Sequence, residues 1–373
     1  MTGFFVNNID FRGGLEIVTE RLCTLFKHSG ISAKIYSLQG NASSDVSYVG
    51  ITGTVQNKYI EKVYKIFEID GVKRLVVQLD NPFSPVANLK MLRFFVSRGI
   101  RVCCTIHTSP VYFMKRFWNF KDSPLVFYLK CLKTFFYYKP KAKAYFKKCQ
   151  KYGIGIVTLC EGNKKELKKY FDVDSFVIPN FYEVKDYDKS VIFQKKHIVS
   201  YIGRIDYAQK NLFTLLEAWN VVFEKRDWVL NIIGGGDKTA LFDYIKNNAV
   251  KNVCVYDYMP VNEVEKLYKE NSILILTSRF EGYPTVICEA VSYGNAVITT
   301  RYAGFSDELV NDRINGFVTS FNADEIAKCI QKLINDEDCL KRMQCASFEK
   351  RKYLKNIDYL SLWENAFSSL IEK

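Results

Sequence analysis

SILILTSRFEGYPTVICEAVSYGNAVITT, residues 272–300, reads as a strand, a loop, a helix and a second strand. SILILTS is a short, continuous apolar run, the pattern of a parallel strand covered on both faces. Pro284 stands near the first position of the helix, where proline is tolerated. NAVITT (295–300) returns as the next strand. Working outward, the same alternation covers the chain. Upstream in this half lie HIVSYIG (197–203), WVLNIIG (228–234) and NVCVYDY (252–258). The first half holds FFVNNI (4–9), AKIYSL (33–38), RLVVQL (74–79), IRVCCTIH (100–107), GIGIVTLC (153–160) and SFVIP (175–179). Helical patterns fill the intervals, for example 14–28, with Ile17, Val18, Leu22, Leu25 and Phe26 on one face, and 211–226. Strands alternating with helices predict α/β layers on parallel sheets.

The alternation breaks at FYEVKDYDKSVIFQKKH (181–197), a polar and charged stretch after Pro179-Asn180. The expectation is two doubly wound domains, 1–182 and 196–355, followed by an amphipathic helix over 356–373. The length of 373 residues agrees with two cores of ordinary size. Composition, 48% hydrophobic and 25% charged, excludes a disordered or fibrous chain. No apolar run approaches the ~20 residues of a membrane span, and no secretory leader is legible, so the expected compartment is the cytoplasm. The eleven cysteines have no zinc-like spacing and sit mostly in apolar runs, as buried reduced thiols do. Net charge is +13 and unevenly spread. Residues 1–200 carry 32 Lys/Arg against 16 Asp/Glu, whereas 201–373 carry 21 against 24. A basic half facing an anionic surface or polymer is the expected consequence.

The chemistry-bearing residues sit where strands end. Glu281 lies in the loop before the helix, and Glu289 lies one turn above Thr285 on the same face. The free N–H groups near Thr285 and Val286 make the helix start an anion site. Carboxylates beside it suit sugar hydroxyls; a solvated glutamate pair is the alternative. In YIGRIDYAQKNLF (201–213), Arg204 and Lys210 occupy a strand-to-helix loop and could clamp a diphosphate. The IIGGGDK turn (232–238), with Gly235 at its centre, either admits a ligand or turns the chain, and lacks dinucleotide-fingerprint spacing. Gly13-Gly14 is a second glycine turn with the same two readings. His107 ends a strand, at the edge where α/β sheets bind ligands, or is a structural histidine. Two D-x-D pairs, Asp172/Asp174 and Asp336/Asp338, read as solvated turns rather than metal sites.

In sequence order these elements resemble the retaining glycosyltransferases of family 4. The E-x7-E from Glu281 to Glu289 carries the likeness, within RFEGYPTVICEA, including Tyr283 and Thr285. The G-R-x6-N element (Gly203, Arg204, Lys210, Asn211), His107 before Thr108, and VIPN (177–180) support it. Two departures are AGFSDEL (303–309) in place of a G-G-x-x-E pattern, and Phe181 where glycine is common. The resemblance implies a GT-B fold, two Rossmann-like domains facing a central cleft, with the C-terminal helix returning to the first domain. It implies a nucleotide-sugar donor, a UDP-sugar favoured, and a saccharide or lipid-linked acceptor in surface-polysaccharide assembly. Arg204 and Lys210 would neutralise the diphosphate, with Gly13, Gly14, Gly235, Tyr283, Thr285 and Val286 beside the donor. Glu289 would take the ribose hydroxyls. Glu281 would face the donor sugar, and His107 would contact it. No cofactor and no metal would be needed. A nucleotide-sugar epimerase on the same fold, or a non-catalytic membrane- or nucleic-acid-binding protein, are the other readings.

Residues 115–151 carry eleven Lys/Arg and a single acid, Asp122. Trp118, Phe120, Phe127, Tyr128, Phe135–Tyr138, Tyr145 and Phe146 are interleaved. This composition suits peripheral attachment to an anionic membrane, here the inner face of the cytoplasmic membrane. Nucleic acid is the partner not expected, and a basic helix with core aromatics is the plain alternative.

Overall fold

The computed structural model describes residues 1–10, 13–40, 46–49, 57–111, 124–223, 225, 227–302, 305 and 307–370. The chain forms two compact units, residues 1–181 with 358–373, and residues 182–357. The first holds a seven-stranded sheet of β1 (Thr2–Asn8), β2 (Ala33–Gln39), β3 (Val46–Tyr48), β4 (Arg74–Leu79), β5 (Arg101–Ile106), β6 (Gly155–Thr158) and β7 (Phe176–Val177). The second holds β8 (Lys196–Ile202), β9 (Val229–Ile233), β10 (Val253–Tyr256), β11 (Asn271–Leu276), β12 (Ala296–Thr300) and β13 (Gly316–Thr319). The orders are β3-β2-β1-β4-β5-β6-β7 and β10-β9-β8-β11-β12-β13, and the neighbours pair in parallel. Both are doubly wound, of the Rossmann type, with the order reversing between β1 and β4 and between β8 and β11. Ligands bind such sheets outside the carboxyl ends of the strands at the reversal.

Each expected strand is present. Two edge strands, β3 and β13, carry no clear sequence signal because they are only three and four residues long. The buried strands follow their apolar runs: every residue of β6, β11 and β12 is buried.

The C-terminal helix is shorter than its pattern, Tyr359–Ser368, and starts where Asp358 accepts a hydrogen bond from the Ser361 N–H. Its Trp363, Ala366 and Phe367 join Phe4, Phe26, Val76 and Cys103 in one core of the first unit. Arg74 pairs with Glu364 at 2.6 Å alongside. Burying Trp363 and Phe367 contributes about 1.5–3 kcal/mol each.

The stretch expected to link the domains is built into the second unit instead. Val191 and Ile192 are buried. Arg351 donates to the carbonyls of Lys185 (2.6 Å) and Tyr187 (3.0 Å), and Lys185 pairs with Glu265 at 2.5 Å. Its polar side chains remain mostly exposed, while these bonds and the buried Val191 and Ile192 tie its backbone to the second unit.

Candidate active site

The loop after β8 and the loop after β11 meet at the reversal of the second sheet. They are stitched by bonds to the backbone carbonyls of the first loop. The Arg279 N–H donates to the Gln209 carbonyl at 2.8 Å, and Thr277 Oγ1 donates to the Lys210 carbonyl at 2.9 Å. The Arg279 guanidinium reaches the Ala208 carbonyl at 3.1 Å. The first loop has its own turn, Tyr207–Lys210, capped by Asp206, whose Oδ1 accepts from the Gln209 N–H at 2.8 Å. Asn211 then adopts a left-handed conformation (φ +56°) before the helix Leu212–Val221.

The side chains converge. Lys210 Nζ lies 2.6 Å from Glu281 Oε1, with only 13% and 9% of the two side chains exposed. Gln209 Nε2 donates to the Phe280 carbonyl (3.2 Å) and to Glu281 Oε2 (3.4 Å). Gln209 Oε1 accepts from Arg204 Nη2 at 3.3 Å, and the Arg204 side chain is otherwise exposed. Tyr201 Oη donates to the Arg204 carbonyl at 2.6 Å, and burial raises the Tyr201 phenol well above its ordinary value, so it stays a donor.

The glycine turn serves the neighbouring loop. A Cβ on Gly234 would stand 1.8 Å from the Gly203 oxygen, and one on Gly236 (φ +133°) 2.8 Å from the Ile205 oxygen. The Gly235 carbonyl accepts from the Ile205 N–H at 2.8 Å. The triplet therefore lets two backbones touch, which fixes the loop carrying Arg204.

The helix Thr285–Ser292 starts at Pro284 with no side-chain cap. Thr285 and Val286 are half-buried, and Tyr283 is buried. Glu289 is half-buried; its Oε2 accepts from Tyr268 Oη at 2.9 Å, and Tyr268 stacks on Tyr293 with rings 5.8 Å apart. Burial, and then Glu289, hold the Tyr268 phenol well above its ordinary value. The two glutamates thus have different surroundings: Glu281 has a cation, Glu289 a phenol.

In the first unit, Gly13 caps the helix Gly14–His28, and its N–H donates to Glu16 Oε2 at 3.0 Å. Gly14 is exposed, and a Cβ there would meet no atom of the described residues within 4 Å. Packing among the described residues gives no reason for glycine at 14. His107 Nε2 lies 2.5 Å from Oε1 of Gln78 on β4. Burial lowers the imidazole to about 4, so it is neutral at pH 7. With Gln78 presenting its oxygen, Nε2 carries the proton and Nδ1 is an acceptor.

Residues 184–352 match the family model described as Glycosyl transferases group 1. The chain is a glycosyltransferase carrying a group 1 domain. Its fold is GT-B. An amylovoran biosynthesis glycosyltransferase, AmsD of Erwinia amylovora, is 24% identical over 92% of this chain and 93% of its own length. A Campylobacter jejuni α-1,4-N-acetyl-D-galactosaminyltransferase is 29% identical over 44% of this chain and 49% of its own; its name gives an undecaprenol-diphosphate-linked acceptor. The Anabaena protein HepE, solved with UDP-glucose, superposes with a TM-score of 0.71 at 15% identity, over 99% of both chains.

Within this glycosyltransferase, the structure brings Arg204, Lys210 and Glu281 together, and sets Thr285, Val286 and Glu289 on the adjoining helix. Gln209, Tyr268, Gln78, Thr277 and Arg279 were not singled out in the sequence. Gln209 alone had a signal, a polar residue flanked by the motif cation. Of the acidic D-x-D pairs, Asp172 pairs with Lys147 and Lys168, Asp174 pairs with Lys168, Asp336 caps the helix Glu337–Lys355, and Asp338 stands in that helix's first turn. Among the described residues no group of three or more His, Cys, Asp or Glu is placed to hold a metal ion.

The basic stretch divides in two. Tyr145 and Phe146 are buried, and Phe146 packs on Phe171 with rings 5.4 Å apart, so these aromatics belong to the core and not to a surface patch. Leu125, Val126, Tyr128, Leu129, Phe135, Phe136 and Tyr137 are exposed, Phe136 by 70%. A wide π-type turn, Thr134–Tyr138, joins the helices Pro124–Lys133 and Lys139–Lys151. Trp118 and Phe120 lie outside the described residues, as does the side chain of Phe127. No helix among the described residues is long and apolar enough to cross a membrane.

Proposed function

We propose that this glycosyltransferase is a retaining enzyme of family 4, moving a sugar from a nucleotide donor to a saccharide or lipid-linked acceptor in surface-polysaccharide assembly. The observation that carries the reading is Arg204, Lys210 and Glu281 in one hydrogen-bonded cluster at the switch point of the second sheet. Two cations there complement a diphosphate, and a carboxylate beside them complements positive charge on a sugar ring. A UDP-sugar is favoured, in keeping with the ligand named for the Anabaena structure. The lipid-linked acceptor follows the name of the Campylobacter relative.

In this reading Arg204 and Lys210 bind the diphosphate, with N–H groups near Thr285 and Val286. Glu289 takes the ribose hydroxyls, leaving Tyr268 as its supporting donor. The bond from the anomeric carbon to the phosphate oxygen breaks as the acceptor oxygen bonds to that carbon on the same face. The acceptor's proton passes to the departing phosphate. Glu281 stabilises the positive charge that develops on the ring, and the cations supply the electrostatics a metal would otherwise provide. In the first unit, the neutral His107 is assigned to a sugar hydroxyl and Gly14 to a phosphate. The exposed apolar side chains of 125–137, with the lysines around them, are assigned to an anionic membrane surface.

The test is binding. UDP-, GDP- and ADP-sugars are screened for thermal stabilisation, since a ligand of the folded state raises stability by mass action. Arg204→Ala and Lys210→Ala should each weaken nucleoside-diphosphate binding by about 1.5–3 kcal/mol. Unchanged affinity in both variants removes the reading.

A further inference from the structure

We propose that Gln209 is a positioning residue that holds Glu281 in its working orientation and ties it to Arg204. The inference rests on the donor-site reading above and deepens it. Gln209 is 7% exposed, and both ends of its amide are engaged. Nε2 donates to the Phe280 carbonyl and Glu281 Oε2, and Oε1 accepts from Arg204 Nη2. The reversed amide would set its oxygen against a carboxylate and its N–H₂ against a guanidinium, so the neighbours fix its orientation. The backbone of Gln209 is held on both sides, its N–H by Asp206 Oδ1 and its carbonyl by the Arg279 N–H. The side chain therefore projects from an immobile platform. Charged groups do the binding, and a neutral group that donates at one end and accepts at the other links them without adding charge. When a diphosphate draws Lys210 toward itself, the Gln209 N–H remains on Glu281 and keeps that carboxylate aimed. Gln209 touches no substrate in this account; it acts through Glu281.

Two variants separate the ends of the amide. Gln209→Met removes both polar ends at similar volume. Gln209→Glu keeps an acceptor for Arg204 and removes the donor to Glu281. Both should lower kcat at least tenfold for whichever of UDP-glucose, UDP-galactose, UDP-N-acetylglucosamine or UDP-N-acetylgalactosamine the wild type hydrolyses. Calorimetric UDP affinity of Gln209→Met, which adds no charge beside Arg204, should stay within threefold of wild type. Acting through Glu281 also implies non-additivity: in a Glu281→Gln background, Gln209→Met should cost less than twofold more in kcat, and the melting-temperature changes should likewise couple. Full additivity of kcat and of melting temperature, or a kcat within twofold of wild type in both single variants, overturns the proposal. If the wild type neither binds UDP nor hydrolyses these sugars, the donor-site reading fails instead. The melting-temperature cycle then decides the Gln209–Glu281 linkage alone.

Discussion

Lys210 and Glu281 come from different strand ends and form one nearly enclosed ion pair. Removing either member of such a pair strands the other charge in a nearly enclosed place. Glu281→Gln should lower kcat with modest change in donor KM, and should lower the melting temperature because Lys210 loses its counter-charge. Glu289→Gln should chiefly raise donor KM, since Tyr268 continues to hold the side chain. Steady-state kinetics of both variants check this; the reverse pattern means the roles are exchanged. His107 gives a pH-dependent prediction. Its folded value, about 4, lies below the ordinary 6.5, so the unfolded chain binds the extra proton between them. Stability contributed by the neutral imidazole is therefore present above pH 6.5 and is lost as pH falls toward 4, by at most ~3 kcal/mol. Urea unfolding of wild type and His107→Gln at pH 7 and pH 5 should show a smaller loss in the variant; equal losses count against the burial of this imidazole.

At the scale of elements, continuous apolar runs made the inner strands legible, and the glycines, Pro284 and the cation loop marked their ends. Partnership across elements was not legible. Nothing in EGYPTV says that Glu281 meets Lys210, because that contact depends on β8 and β11 being neighbours, and strand order is a tertiary property. Nor does AKAYFKK distinguish a core aromatic from an exposed one: helix phase buries Tyr145 and Phe146 while the lysines at 141, 143, 147 and 148 stay out. The exposed apolar residues lie upstream, between Leu125 and Tyr137. Each nearby cation contributes about 1 kcal/mol on an anionic bilayer, screened beyond roughly 8–10 Å at physiological salt. Co-sedimentation with phosphatidylglycerol vesicles should therefore fall with salt in the wild type. It should be largely lost in Lys141→Glu/Lys143→Glu/Lys148→Glu. Phe135→Ser/Phe136→Ser should lose the salt-resistant remainder. Equal binding by all three proteins would rule out this surface.

At the scale of the whole molecule, charge is partitioned: the excess of cations lies in residues 1–200, and the second half is slightly acidic. The second half nevertheless places Arg204 and Lys210 at its switch point, beside the assigned diphosphate position. With fixed cations there, sugar transfer should survive excess EDTA at full rate. Loss of activity restored by Mn²⁺ or Mg²⁺ would show that the cations do not suffice.

The return of residues 358–370 to the first unit has a consequence for how the protein is made. When the ribosome has finished residue 181, the first sheet still lacks Trp363, Ala366 and Phe367 from its core. Translation at ~5–20 residues per second puts roughly ten to forty seconds between that moment and their appearance. The second unit, encoded without interruption from 182 to 357, is synthesised during that interval and gains its last residue just before Trp363. Vectorial synthesis therefore keeps an apolar face of the earlier-encoded unit open to chaperones until nearly the whole chain has been made.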